Sequence, residues 1–231
     1  HRADFVGRAR AEERRPRARR VRQPLRVPRE VLLQLHERGQ LELDDSVCAH
    51  VPQCPDGWRR LTIRILLLGR SGLPIVLPRL GSRSVVAWIE WLRTHPLRFA
   101  PGSGNDRGHG RFLLAAYVLE RASGMAWIDY LERRIFAPLG MSATGVERRH
   151  PARATPYFRT RDRRLGPPAS FPPLSTPDVA YGLMSTVDDF HRFERALSSG
   201  SLVSRDLLTE LAEQGQGIEI GSEAYVHFGH G

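Results

Sequence analysis

The chain has 231 residues, 41% of them hydrophobic and 26% charged, with 21 glycines and 17 prolines. These proportions are ordinary for a globular protein and exclude collagen-like, coiled-coil and wholly disordered readings, and the length suits one large domain or two small ones. All 35 basic residues are arginine, so every chemistry that needs a lysine amine is excluded, including Schiff bases, the phosphate-loop lysine and a lysine general base.

The net charge of +10 gathers at one end. Residues 1–30 hold eleven arginines against Asp4, Glu12, Glu13 and Glu30. Residues 1–29 therefore read as a basic segment apart from a domain over 30–231. Such an arm attracts nucleic acid or an anionic membrane by charge alone. It carries neither regularly interleaved aromatics nor a nucleic-acid-binding motif, so no specific nucleic-acid partner is expected. Its Arg, Pro and Ala content also matches a GC-rich coding sequence read in a shifted frame. The chain opens on His1 and its first methionine is Met125, so it reads as an excerpt. No signal peptide is visible, and no apolar run approaches the roughly 18 residues that span a bilayer.

Pro28 to Arg38 predicts a short amphipathic helix with Val31, Leu32 and Leu35 on one face, stopped by Gly39. Cys48 and Cys54 fit neither a zinc pair nor a C-x-x-C redox motif, and their spacing leaves a local disulfide open. Leu61 to Leu68 is strongly apolar and ends in a turn at Ser71-Gly72-Leu73-Pro74. Gly69-Arg70-Ser71-Gly72 lacks the last glycine of a G-x-S-x-G nucleophile elbow and is assigned to that same turn. Helical spacing joins Val85, Trp88, Ile89 and Leu92, and again Phe112, Leu113, Ala116 and Leu119 up to Gly124, which predicts two core helices. Trp88 and Trp91 suit helix packing better than a ligand stack. Between them, Gly102 to Gly110 is glycine-rich without the G-K-[ST] of a phosphate loop, and His95, Asp106 and His109 are too irregularly spaced for a metal site. A further helix is expected from Ala126 to Phe136, then a long Arg- and Pro-rich excursion over 148–179. Thr186-Val187-Asp188-Asp189 resembles a capping box opening a helix through Leu197, followed by a helix from Ser204 to Glu213. Only Gly217 to Ile220 and Ala224 to Phe228 read as strands, joined by a hairpin turn.

Taken in order, several blocks resemble the serine β-lactamase and penicillin-binding-protein superfamily, in its class C-like branch with esterases and D-Ala-D-Ala carboxypeptidases. They are Leu33-Gln34-Leu35-His36-Glu37-Arg38-Gly39-Gln40-Leu41, Ser71-Gly72-Leu73-Pro74, Phe99-Ala100-Pro101-Gly102-Ser103, Phe136-Ala137-Pro138-Leu139-Gly140-Met141, Gly182 to Asp189, and Phe228-Gly229-His230-Gly231. The resemblance implies an α+β fold, a helical subdomain beside an antiparallel sheet, with the active site in the groove between them. It also implies that the sheet is incomplete in this chain, with poor stability as a consequence. No cofactor or metal is implied. The partner would be a small amide or ester, in a periplasmic, secreted or cytoplasmic bacterial setting.

Such proteins perform acyl transfer through a serine ester, using S-x-x-K, a Y-x-N or S-x-N loop, and a K-T-G or H-x-G strand. Counting back from Leu33-Gln34-Leu35, S-x-x-K falls on Arg22-Gln23-Pro24-Leu25, where neither serine nor lysine stands. The Y-x-N positions fall on Asp106-Arg107-Gly108. Ser103-Gly104-Asn105 spells S-x-N about three residues early, with the chain's one asparagine, and reads equally as a glycine-rich turn. His230-Gly231 is the best-kept motif, and His227-Phe228-Gly229 is a literal H-x-G just before it. The resemblance thus nominates His230 as the catalytic-strand residue and Ser103, Asn105 and Gly231 as substrate contacts. Three readings follow: a hydrolase-family member impaired in catalysis, a noncatalytic binding homologue, or a partial or frame-shifted product.

Overall fold

The computed structural model describes residues 20–21, 27–74, 84–106, 108, 110–146 and 183–214. Its helices in chain order are α1 (Val27–Glu37), α2 (Ile63–Leu67), α3 (Val85–Arg93), α4 (Gly110–Ser123), α5 (Trp127–Leu131, prolonged by a wider π turn over Glu132–Phe136), α6 (Val187–Ser198) and α7 (Arg205–Gln214). Three short strands accompany them: β1 (Arg20–Val21), β2 (Gly145–Val146) and β3 (Leu183–Thr186).

α4 is the centre of the helical body. Leu113 to Leu119 are all buried, without a break, whereas an amphipathic helix buries only a stripe. The encircling partners explain it, since α1, α2, α3 and α5 all pack on α4. α1 brings Val31, Leu32, Leu33 and Leu35, each fully buried. It stops where Gly39, at φ +66°, turns the chain so that Gly39 N–H and Gln40 N–H donate to the His36 and Leu35 carbonyls. Its polar residues bind the far end of the chain: Gln34 Nε2 donates to the Leu202 carbonyl at 2.9 Å, and Glu37 receives the Ser204 N–H at 2.8 Å ahead of α7.

The expected helices are present with ends shifted by a residue or two. The expectation of sheet only near the C-terminus needs correction. β3 lies between β1 and β2 in an antiparallel sheet, with Arg20 opposite Thr186 and Gly145 opposite Met184. These strands are two to four residues long and carry no extended alternation, so long-range pairing makes them strands rather than local pattern. The hairpin expected over 217–228 and the excursion over 148–179 lie outside the described residues. β3 runs directly into α6, where Thr186 Oγ1 accepts the Asp189 N–H at 3.2 Å. Asp189 itself faces elsewhere: its buried carboxylate receives Ala143 N–H, Thr144 Oγ1 and Arg192 Nη1, tying the α5–β2 connection to α6.

The cysteine question left open by spacing is closed by a Cys48–Cys54 disulfide, with Cα atoms 5.3 Å apart. Arg64 of α2 reaches Glu210 of α7 at 2.6 Å and donates to Asp44 at 2.7 Å, and the bond to Asp44 holds that carboxyl below its usual range. No helix among the described residues is long and apolar enough to cross a membrane.

One carboxylate is held against its preference. Burial, and then the neighbouring Glu30 of α1, push the Glu194 carboxyl of α6 above the usual range; Arg29 pairs with Glu30 at 3.2 Å. A raised carboxyl pKa means that the folded state binds the proton more tightly than the unfolded state. Ionised Glu194 therefore costs stability at neutral pH, and that cost vanishes as pH falls below its ordinary value. Glu194→Gln is expected to raise the melting temperature at pH 7 by roughly 1–2 °C, with the gain shrinking towards zero near pH 4. Equal melting of the two proteins at pH 7 would refute this assignment.

Candidate functional site

The turn after α2 carries two glycines. Gly69 and Gly72 take φ values of +68° and +74°, which reverse the chain after α2. At Gly72 a Cβ would stand 2.3 Å from the Phe99 carbonyl oxygen, so the turn requires glycine both for conformation and for space.

This turn is laced to the segment that follows α3. Arg98 N–H donates to the Gly72 carbonyl at 2.7 Å, Gly102 N–H to the Arg70 carbonyl at 2.9 Å, and Asp106 N–H to the Gly69 carbonyl at 2.6 Å. Asp106 completes the lacing. Its Oδ2 accepts the Ser71 hydroxyl at 2.6 Å and the Gly72 N–H at 3.0 Å, inside a site where Ser71 is fully buried and Asp106 nearly so. Ser71 Oγ in turn accepts the Leu73 N–H at 3.2 Å. With its proton given to Asp106, an amide N–H received and the side chain fully buried, Ser71 serves the turn, in agreement with the turn assignment.

Ser103 and Asn105 stand on the outside of the same frame, both exposed. Ser103 Oγ donates to the Ala100 carbonyl at 2.8 Å, so its hydroxyl closes a turn. Gly104 lies flat on the Phe99 ring, whose carbons come within 3.2–3.3 Å of where a Cβ would sit. Asp106, onto which the family spacing counts the first Y-x-N position, is turned inward. Beyond it, Gly110 opens α4 within 3.1 Å, measured from its virtual Cβ, of Leu73 Cβ and Leu92 Cδ2, which seats the laced turn on the core.

His227, His230 and Gly231 lie outside the described residues, as do Arg22 to Leu25. The structure therefore brings Ser103 and Asn105 together with Asp106 and Ser71. His95 is engaged elsewhere, its Nδ1 within 2.8 Å of the Trp91 carbonyl and its ring 3.8 Å from that of Trp91. Among the described residues no three His, Cys, Asp or Glu side chains converge as metal ligands. The Ser71–Asp106 pair escaped sequence reasoning because 35 residues separate its members and neither belongs to a spaced motif with the other.

A helical body beside an antiparallel sheet is the architecture of the serine β-lactamase and penicillin-binding-protein superfamily. The Beta-lactamase family model matches residues 30–229, and the chain belongs to that family. PbpX of Bacillus subtilis (strain 168) is 26% identical over 198 residues, covering 84% of this chain and 50% of PbpX. Esterase EstB of Burkholderia gladioli is 29% identical over 234 residues, covering 83% of this chain and 59% of EstB. The chain spans about half the length of these relatives. In fold it is similar to the D-stereospecific amidohydrolase from a Streptomyces species, with a TM-score of 0.69 at 24% identity over 89% of this chain and 68% of that one.

The lacing sets two expectations. Asp106→Ala leaves the Ser71 hydroxyl and Gly72 N–H buried without their acceptor and should cost about 2–4 kcal/mol in denaturant unfolding. Asp106→Asn retains an acceptor and should lose less than half as much; equal losses for the two variants would show that the carboxylate bonds are not what matters. Gly72→Ala should destabilise by at least about 2 kcal/mol, against about 1 kcal/mol for Gly39→Ala, whose Cβ meets nothing within 4 Å. A Gly72→Ala protein as stable as Gly39→Ala would contradict the close approach to Phe99.

Proposed function

We propose that this Beta-lactamase-family chain has lost, or retains only weakly, the serine acyl-enzyme step, and that its groove edge contacts small amides or esters without turning them over at a family-like rate. The carrying observation is that the chain contains no lysine, and the family spacing counts the nucleophile and base positions onto Arg22 and Leu25. A guanidinium stays protonated in proteins and offers no lone pair for attack, and a leucine side chain accepts no proton. With nucleophile and base gone together, only binding and polarisation of the carbonyl remain, a loss on the order of a million-fold in kcat.

Residues 30–231 form the groove-bearing part in this reading, and the basic segment 1–29 takes no part in chemistry. In this reading Ser103, Asn105 and Gly231 take the substrate-contact role and His230 the catalytic-strand role that the family resemblance nominates. The inward turn of the Asp106 carboxylate supports the reading, because the first Y-x-N position then serves the frame instead of proton transfer. The name of EstB supports a carbonyl ester as the substrate class.

The test is covalent labelling. Incubation of the full chain with a fluorescent penicillin, followed by intact-mass spectrometry, should show no penicilloyl adduct, and a chromogenic ester should hydrolyse at the solvent background. A stoichiometric adduct, or ester turnover abolished by Ser103→Ala, would establish a working nucleophile and overturn the proposal.

A further inference from the structure

Independently of the groove, we propose that the Cys48–Cys54 disulfide is a redox-operated clamp that holds helix α3 against the loop over residues 47–58. The loop is anchored at both ends in the core. Val47, Val51 and Trp58 are buried, Val47 N–H donates to the Leu61 carbonyl at 2.9 Å, and Ser46 Oγ accepts the Cys48 N–H at 3.2 Å. Between these anchors the disulfide closes a ring over a sequence separation of six residues, with both cysteines only partly buried and so within reach of a reductant.

Gln53, immediately before Cys54, has φ +49° and is the one non-glycine residue with positive φ among the described residues. A side chain at that φ is unfavourable on its own and persists where the surrounding chain imposes it. The conformation has a consequence. It turns both oxygens of Gln53 towards α3, where Arg93 Nη2 donates to the Gln53 carbonyl at 2.8 Å and to Oε1 at 2.9 Å. Arg93 is aligned for this by Glu90, one turn earlier on α3, which accepts Nη1 at 2.8 Å. Leu97, just past α3, packs within 4.0 Å of the Cβ position of Gly57 on the same loop. The last turn of α3 is therefore attached to the disulfide loop by a two-pronged arginine contact that depends on a backbone conformation the ring enforces.

The chemistry is a thiol–disulfide exchange. A dithiol reductant supplies two electrons and two protons; the Cys48–Cys54 bond breaks, both sulfurs become thiols, and the dithiol closes to its own disulfide. With the ring open, Gln53 relaxes to negative φ, its two acceptors leave Arg93, and the C-terminal turn of α3 loosens from the loop. α6 and α7 keep their protection.

Amide hydrogen exchange of the full chain, oxidised and then reduced with dithiothreitol, tests this directly. Reduction, verified by a gain of two hydrogens in intact mass, should accelerate exchange in residues 85–93 on the order of tenfold while leaving 187–198 within twofold. Arg93→Gln should show the faster α3 exchange already in the oxidised protein, with little further response to reductant, and it leaves the disulfide in place should a Cys48→Ser/Cys54→Ser protein fail to fold. Three results would overturn the clamp: free thiols in the protein before reduction, unchanged α3 exchange after complete reduction, or uniform acceleration throughout the chain. The last would make the disulfide a general staple.

Discussion

The structure depends on enclosing α4. Seven consecutive buried residues, Leu113 to Leu119, can be placed only where apolar partners approach from every side. A helix can accept this because its backbone bonds are satisfied internally, whereas a strand buried in the same way would need hydrogen-bonding neighbours on both edges. α1, α2, α3 and α5 supply the walls. Removing a wall exposes large aliphatic side chains worth about 1.5–3 kcal/mol each in transfer from water. The position of α4 then dictates where the laced turn lies, because Gly110 at its first turn admits Leu73 and Leu92 at near-contact distance and seats the turn there.

At that turn, frame and chemistry separate. The Gly69–Gly72 turn, the Phe99 ring and the Ser103-Gly104-Asn105 loop are held by backbone bonds and by one buried carboxylate, all of which serve packing. The groups that would move protons or attack a carbonyl are a different set of residues, and these can change while the frame persists. The family match over residues 30–229 rests on that frame, and a shared frame does not by itself fix the chemistry. Asp106 illustrates the exchange at a single position. Inside the lacing it collects a hydroxyl and an amide N–H that would otherwise be buried without acceptors.

How far the sequence spoke depended on the range of each interaction. The helices were legible because their periodicity is local: the Val85-Ile89-Leu92 and Val31-Leu32-Leu35 faces are the faces the core uses. Gly39 and Thr186 marked a helix end and a helix start, again through bonds to near neighbours. The strands were not legible, since Arg20, Gly145 and Met184 meet only through the fold. Ser103 and Asn105 were found as a spaced motif, but their exposure and their support on Phe99 were not.

By itself the sequence determined the family resemblance, the helical pattern and the absence of lysine, because each is a property of residue identity or of neighbours within one or two turns. The tertiary structure alone decided that α4 is the enclosed helix, that Ser71 and Asp106 pair across 35 residues, and that Cys48 and Cys54 close a ring whose Gln53 reaches Arg93. Those contacts join residues far apart in the chain or set a backbone conformation against its intrinsic preference. Only the packed core, which fixes where each segment lies, can specify them.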